Sequence, residues 1–337
     1  MSGDHTRPVI TAWTAVSPFG LDRDSFAEGL RTRRVTPADC AREGCVDLPH
    51  QAATVPGFDV RELLGKKGTR AMDRVTGLAV WAVGRLVADH PVDAADRTAL
   101  VLGTMGSLQS TMDFVRPSFV AAKPYLVDPG AMPNAVMNCA AGRSAIWHGL
   151  TGPNITLAGG RVAGLSGLSY ACRLLRERRS QRVLVGGAEE YAPARAWLER
   201  LGGADGPLGE GCAVVQVEPY GASRDRPPVA EVLQVRSQVA LDGDFARALD
   251  DCARMVLRRA GADPADVVVA SLPELTAGLR ADVPAGPLAS LIGDTGAATA
   301  MFQIAEVLAE RPGPGGLGLV GSWDREGSVA CALLRFL

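Results

Sequence analysis

Side chains that could act as nucleophiles, general bases or metal ligands are few in this sequence and unevenly placed. All four histidines lie within the first 148 residues, and all three lysines within the first 123. The seven cysteines include no CxxC pair, which indicates neither a disulfide framework nor a zinc site. Hydroxyls at Ser166, Ser169 and Thr295 have no histidine in the second half of the chain to activate them. We expect no metal and no cofactor.

The composition is that of a folded protein of 337 residues, 47% hydrophobic and 21% charged, with a mean hydropathy of +0.09. The 35 basic and 37 acidic side chains give a net charge of -2, which argues against nucleic acid as a partner. No apolar run approaches the roughly 20 residues of a membrane helix, and the first residues do not resemble a signal peptide. The sequence therefore predicts a cytoplasmic protein with no membrane partner.

Short β-rich runs alternate with helical patterns along the chain, which predicts an α/β fold whose strands are buried on both faces. The predicted strands cover residues 9–16, 99–103, 154–158, 182–185, 212–218, 229–235, 267–270, 317–320 and 329–336. The predicted helices include residues 70–88 and 295–309. A polar stretch bounded by prolines, 219–228, predicts a linker between an N-terminal half, 1–218, and a shortened C-terminal half, 219–337.

Five segments, in this order, resemble the β-ketoacyl synthase family of the thiolase fold. They are VITAWTAVSPFGLDRDSFAEGLRTRR, KKGTRAMDRVTGLAV, PYLVDPGAMPNAVMNCAAGRSAIWHGLTGPNIT, VLVGGAEE and LGEGCAVVQVE. Together they extend across residues 9–218, whereas the last third of the chain matches less well. The resemblance implies a thiolase-like α/β fold with duplicated mixed-sheet halves in a layered αβαβα arrangement.

The resemblance also implies a chemistry whose residues are missing here. The family condenses acyl groups with a cysteine at a strand-to-helix turn, two histidines and a lysine. Aligning the Gly-Pro-Asn turn places Arg161 at the cysteine position, and Asp294 falls where one histidine would be. No histidine follows His148 and no lysine follows Lys123, so the other members of the catalytic set are absent as well.

Neither replacement can perform the missing step. A condensing nucleophile must form a thioester, and a guanidinium stays protonated and offers no nucleophilic lone pair. An ionised carboxylate only accepts hydrogen bonds, so Asp294 cannot donate one to a carbonyl oxygen. The sequence thus predicts no catalytic residue of the family type. Cys172 and His148 are each predicted to be packing residues.

The leading hypothesis is a chain-length-factor-like subunit, the non-condensing partner of an active ketosynthase in a type II polyketide system. The chain is short for that class, with the main deletion between Glu190 and Leu208, which favours a highly reducing system that makes polyenes. An acyl carrier protein is the second expected partner. Two alternatives remain open: a stand-alone acyltransferase or hydrolase with other catalytic residues, and a scaffold that binds the carrier protein without controlling chain length.

Two structural expectations follow for the vacated site and the product tunnel. A buried guanidinium needs a carboxylate partner, so Arg161 and Asp294 should form an ion pair, with Glu189 or Asp324 as substitutes. The helix after the GTMGS turn should place large apolar side chains at the floor of the tunnel or at the subunit interface. The predicted tunnel and interface residues are Leu108, Met112, Phe114, Phe119, Met132 and Met137.

Overall fold

The computed structural model describes residues 7–39, 51–89, 91, 97–222, 227–273, 288–310 and 313–337. The strands in this part are β1 (Pro8–Val16), β2 (Ala38–Asp39), β3 (Gln51–Ala53), β4 (Ala99–Gly103), β5 (Asn154–Leu157), β6 (Val183–Glu189), β7 (Leu208–Gly209), β8 (Gly211–Pro219), β9 (Ala230–Val239), β10 (Val267–Ser271), β11 (Leu317–Trp323) and β12 (Ser328–Phe336). The helices are α1 (Arg23–Arg31), α2 (Val60–Leu64), α3 (Arg74–Asp89), α4 (Leu108–Val115), α5 (Pro117–Val120), α6 (Cys139–His148), α7 (Ala163–Arg176), α8 (Pro193–Leu201), α9 (Phe245–Ala260), α10 (Leu288–Ile292) and α11 (Thr299–Glu310).

Nine strands form one mixed sheet in the order β10-β11-β12-β9-β1-β8-β6-β4-β5. In the N-terminal half, β1 is antiparallel to β8 and β8 to β6, while β6, β4 and β5 are parallel. The C-terminal half repeats this pattern, since β9 is antiparallel to β12 and β12 to β11, while β11 and β10 are parallel. The halves meet where β1 pairs with β9 over two residues of each strand. The fold is therefore a duplicated mixed α/β sheet.

Helices cover both outer faces of the sheet and fill the space between its halves. Helices α3 and α6 pack on the outer face of the N-terminal half, and α9 packs on that of the C-terminal half. Helices α7 and α11 lie between the halves, where each contacts strands of both. The layers thus alternate αβαβα, as the family resemblance implies.

Strands β4 and β6 have both of their faces covered. In β4 and β6 every residue is buried, so the sequence shows continuous Val, Leu and Ala runs rather than alternation. Strand β6 also extends to Glu189, four residues beyond the predicted end at 185. The glycines and the acid in this extension weaken the hydrophobic signal, although they remain in the ladder opposite β8.

The start of α3 also differs from the predicted start at residue 70. The helix begins at Arg74 because the Asp73 carboxylate accepts a hydrogen bond of 2.8 Å from the Thr76 N–H and so caps the first turn. The residues before it form a turn closed by the Met72 N–H and the Thr69 carbonyl, 3.1 Å apart.

Two other strands also extend beyond their predicted ends, since β9 continues to Val239 rather than 235 and β11 to Trp323 rather than 320. The helix predicted over 295–309 consists of a 3-10 turn, Gly296–Ala298, followed by α11. Residues 223–226 of the predicted linker lie outside the described part, and the division at 218/219 stays a prediction. Within the described residues, no helix has the length and apolar character needed to span a bilayer.

A small three-stranded sheet, in the order β2-β3-β7, lies beside the loop that carries Asp294. Strand β7 bridges to Asp294, whose backbone carbonyl accepts a hydrogen bond of 2.8 Å from the Gly209 N–H. There is no room for a side chain at Gly209, because a Cβ atom would lie 2.0 Å from the Ile292 carbonyl oxygen. This close approach fixes the loop that carries Asp294.

Candidate functional site

Arg161 lies in the connection between β5 and α7. A 3-10 turn, Gly160–Val162, leads directly into α7, which is buried between the two halves of the sheet. The Arg161 side chain is only 19% exposed. The position has the strand-to-helix geometry that the sequence implied for the nucleophile.

Asp294 approaches from the C-terminal half and is held by its backbone on both sides. Its N–H donates to the Pro207 carbonyl at 2.7 Å, and its carbonyl accepts from Arg195 Nη2 at 2.8 Å. Its carboxylate Oδ1 accepts from the Gly296 N–H at 2.9 Å. Little freedom is left to this side chain, which points at Arg161.

The two side chains form the predicted ion pair, which the structure confirms. Arg161 Nε donates to Asp294 Oδ1 at 3.2 Å, and Arg161 Nη2 donates to Asp294 Oδ2. Asp324 is a second carboxylate on the same guanidinium, with Oδ2 3.7 Å from Arg161 Nη1. The geometry is the planar, two-point contact that arginine makes with carboxylates.

The charges in this cluster stabilise one another. Burial by itself would lower the pKa of Arg161, but the carboxylates of Asp294, Glu199 and Asp324 together outweigh it and raise that pKa above its ordinary value. Burial would raise the pKa of Asp294, yet the Arg161 guanidinium holds it below its ordinary range. Both groups are therefore charged at neutral pH.

The ion pair lies between two small cavities. One, of about 230 Å³, is lined by Met105, Leu108, Gly160, Glu189 and Leu198 among others. The other, of about 200 Å³, is lined by Leu288, Thr295, Gln303, Ser322 and Trp323 among others. Arg161 borders both cavities, so its side chain lies between them.

Glu189 faces the first cavity and is not the partner of Arg161. Its Oε2 accepts from the Ala297 N–H at 3.2 Å, while its Oε1 is buried without a hydrogen-bond partner among the described residues. Burial raises the pKa of Glu189 to about 7, against the attraction of Arg195. A proton is therefore held on this carboxyl up to near-neutral pH.

Arg195 is the site residue that sequence analysis missed. Its side chain is buried, and it donates to the carbonyls of Glu190, Gly209 and Asp294 at 3.0, 2.7 and 2.8 Å. It lies on α8, in the segment where the family alignment shows a deletion, so no motif marks it. A single arginine in an otherwise amphipathic helix carries no local signal of burial.

The predicted tunnel and interface residues lie together on one side of the molecule. Helix α4, helix α5 and the 3-10 segment Pro129–Ala135 contain no buried residue, although they touch one another and α6. Large apolar side chains are exposed on α4, α5, the 3-10 segment, α6 and the adjoining loops. They are Met105, Met112, Phe119, Val120, Tyr125, Leu126, Met132, Val136, Met137, Ile146 and Trp147. We call this the 105–147 surface.

Only one of the six predicted residues reaches the cavity beside Arg161. Leu108 lines it, whereas Met112, Met132 and Met137 are exposed on the 105–147 surface and Phe119 is 82% exposed. Phe114 is half-buried. Their assignment to a tunnel or an interface stays a proposal.

The two residues predicted to be packing residues are remote from the ion pair. Cys172 packs against the core between the halves, and burial raises its pKa to about 12, which leaves it a neutral thiol. His148 Nε2 donates to the Val80 carbonyl at 2.8 Å, and burial lowers the pKa of its ring.

We predict that replacing Arg161 by Ala lowers the free energy of unfolding by about 3 kcal/mol, because Asp294 and Asp324 lose the guanidinium that contacts both carboxylates. Asp294→Asn should cost less, since Asp324 still contacts the guanidinium. The matched surface variant Arg200→Ala, which breaks an exposed pair with Asp205, should cost about 1 kcal/mol or less. Urea unfolding of the three variants measures this, and equal losses for the buried and exposed pairs would contradict it.

We predict that stability decreases as the pH rises from about 5 to 8. Glu189 has a folded-state pKa of about 7 against an ordinary 4.5, so the folded state retains a proton that the unfolded state has lost. Glu189→Gln should flatten this slope and raise stability at pH 8 by about 1 to 3 kcal/mol. Thermal unfolding across that pH range measures it. Parallel curves for the variant and the unaltered chain would show that Glu189 does not titrate there.

Comparisons with known proteins agree with this geometry. A model of the family "Beta-ketoacyl synthase, N-terminal domain" matches residues 6–200, more than half of the chain. A solved structure described as the ishigamide ketosynthase/chain length factor is 44% identical, with a TM-score of 0.89 over 98% of this chain and 99% of that one. A β-ketoacyl synthase from Burkholderia phymatum, 18% identical with a TM-score of 0.79, has the same fold.

Among curated relatives, 3-oxoacyl-[acyl-carrier-protein] synthase 2 of Vibrio harveyi is 26% identical over 254 residues, or 65% of this chain. The match covers 59% of that protein, so the chain spans less than two thirds of such a relative. The family model and the 44% identical structure agree with the five sequence segments and with the five-layered duplicated fold. The chain belongs to the β-ketoacyl synthase family and has its thiolase-like fold.

Proposed function

We propose that this chain is a non-condensing, chain-length-factor-like subunit that pairs with an active ketosynthase in type II polyketide biosynthesis. The observation that carries the proposal is the Arg161–Asp294 ion pair, which fills the place where the family alignment puts a nucleophile and a histidine. A salt-bridged guanidinium cannot carry an acyl group, and a salt-bridged carboxylate cannot polarise a carbonyl. The condensing chemistry must then be supplied by another subunit.

The 105–147 surface supports pairing. A soluble chain rarely leaves so many large apolar side chains exposed on adjoining elements, because each exposed apolar patch of this kind favours association. Aromatic residues and methionine are enriched at the centres of protein interfaces, and this surface has Phe119, Tyr125, Trp147 and several methionines. The 44% identical relative is itself described as a ketosynthase/chain length factor.

Leu108 connects this surface with the interior. It begins α4, after the Ser107 hydroxyl has capped the helix by accepting from the Ser110 N–H at 3.0 Å, and its side chain lines the cavity beside Arg161. A side chain in this place is suited to limit the length of a chain that enters from a partner subunit. We propose this as its role, with Met112, Phe114 and Phe119 contributing bulk nearer the surface.

We also propose a specific type of polyketide pathway for this chain. Helix α8 occupies the segment between Glu190 and Leu208 and covers the first cavity with Leu198 and Glu199. This short cover replaces the longer segment of typical family members and supports a truncated subunit of a highly reducing, polyene-forming system. An acyl carrier protein is the proposed partner of the assembled pair.

We predict that Phe119→Asp abolishes co-purification with the active ketosynthase proposed as the partner, since a desolvated charge would lie in the apolar interface. The matched control is Leu241→Asp, which places the same charge at a residue that is 94% exposed on a turn of the C-terminal half. The control should pair normally. Co-expression with one tagged subunit, followed by size-exclusion chromatography, distinguishes the two. Normal pairing of both variants would remove the 105–147 surface from the proposal.

We predict that Leu108→Ala lengthens the product of the purified pair without reducing the amount of complex, because the shorter side chain opens space beside the cavity. Met112→Ala, Phe114→Ala and Phe119→Ala test the other three residues, and Leu241→Ala is the control. Product lengths are measured by mass spectrometry. If the residues serve core packing instead, the variants would lose about 2 to 5 kcal/mol of stability and yield less complex with unchanged products. Unchanged products from a stable homodimer would favour the scaffold alternative.

A further inference from the structure

The backbone N–H of Arg161 has an unusual partner for its position. It lies in the turn that begins α7, where amide N–H groups have no partner within the helix and where the helix dipole favours an anion. In acyl-transfer sites, amides next to the nucleophile stabilise the negative oxygen of the tetrahedral intermediate. Here the Arg161 N–H donates to Asp324 Oδ2 at 2.9 Å.

We propose that Asp324 is an internal anion that occupies the amide donor at the start of α7, and so blocks acyl chemistry there independently of the side chain at position 161. This inference rests on the proposed non-condensing function. It adds a second feature that prevents acyl transfer, separate from the Arg161–Asp294 ion pair. Asp324 is a positioning residue, since it contacts the backbone of the vacated site and Arg161 Nη1.

The turn between β11 and β12 holds the Asp324 carboxylate rigidly. The Asp324 N–H donates to the Ser328 carbonyl at 2.8 Å, and its own carbonyl accepts from the Gly327 N–H at 3.0 Å. Oδ1 accepts from the Glu326 N–H at 3.2 Å, which leaves Oδ2 aimed at the Arg161 amide. In the same region, Ser322 Oγ donates to the Arg161 carbonyl at 3.2 Å.

Gly160 shows how close the Asp324 carboxylate lies to the backbone of the turn before α7. Its φ of +55° is in the left-handed region, and a Cβ atom there would lie 2.0 Å from Asp324 Oδ2. Any larger residue would displace the carboxylate. Gly160 and Asp324, although far apart in the sequence, therefore depend on each other.

The Asp324 carboxylate would affect any nucleophile placed at position 161. A thiol at the start of a helix normally has a lowered pKa, because the helix dipole stabilises the thiolate. At position 161 the thiol would instead face a carboxylate that already holds the amide and repels a second negative charge. Asp294 and Glu199 act mainly on the guanidinium end of the present side chain, farther from the backbone.

The test measures the reactivity of a cysteine introduced at position 161 in the full-length chain. The rate at which iodoacetamide alkylates the introduced thiol is followed from pH 6 to 10 by peptide mass spectrometry in Arg161→Cys, and again after adding Asp324→Ala. We expect the double variant to react at least tenfold faster at pH 7. The matched control, Arg161→Cys with Asp294→Ala, should gain much less because Asp324 remains on the amide.

Two results would overturn the proposal: a low thiol pKa in Arg161→Cys alone, or equal gains from removing Asp324 and Asp294. If Asp324→Ala fails to fold, Asp324→Asn removes the charge but keeps an acceptor, and it should give a smaller gain in the same direction. Absence of that gain also overturns the proposal. The measurement uses this chain alone, so a failure of pairing with a ketosynthase would not affect it.

Discussion

Burying a guanidinium at the start of a helix between two halves of a fold requires carboxylates that approach from the other side. Arg161 belongs to the N-terminal half, and both Asp294 and Asp324 belong to the C-terminal half. An unpaired buried charge of this kind would cost several kcal/mol, so the ion cluster favours the observed approach of the two halves at this point. Arg195 extends the same constraint, because it ties the Asp294 loop to the end of β6 and to β7 through backbone carbonyls.

The proposed non-condensing role depends on how this cluster changes a site whose surrounding fold is that of the family. The duplicated sheet, the buried α7 and the strand-to-helix turn are all present, but a salt-bridged side chain occupies the turn and lies between two small cavities. Three buried carboxyls outside the ion pair, Glu189, Glu190 and Glu306, have pKa values raised to about 7 by burial. The interior therefore contains both salt-bridged charges and carboxyls that keep their protons up to near-neutral pH. The 105–147 surface, in contrast, is apolar and exposed.

The sequence predicts the regular parts of this arrangement well. Buried parallel strands produce continuous apolar runs, so β4 lies where the pattern indicates. The Arg161–Asp294 pair follows from alignment together with the requirement that buried charges be neutralised. The sequence alone does not predict Arg195 or the Asp324 contact with a backbone amide. Both depend on segments that meet only after the chain has folded, with partners 99 and 163 positions away, and neither residue has a local motif. The sequence predicts the start of α3 too early for a different reason. The apolar pattern continues before Arg74, and only the Asp73 cap sets the boundary.

The central claim is that this chain supports condensation without carrying the acyl group. Intact-protein mass spectrometry tests it directly, on the purified pair of this chain and the ketosynthase proposed as its partner, after incubation with an acyl-loaded carrier protein. The account predicts an acyl adduct on the ketosynthase and an unchanged mass for this chain, alone and in the pair. A stable acyl adduct on this chain would contradict the account and favour a stand-alone acyltransferase.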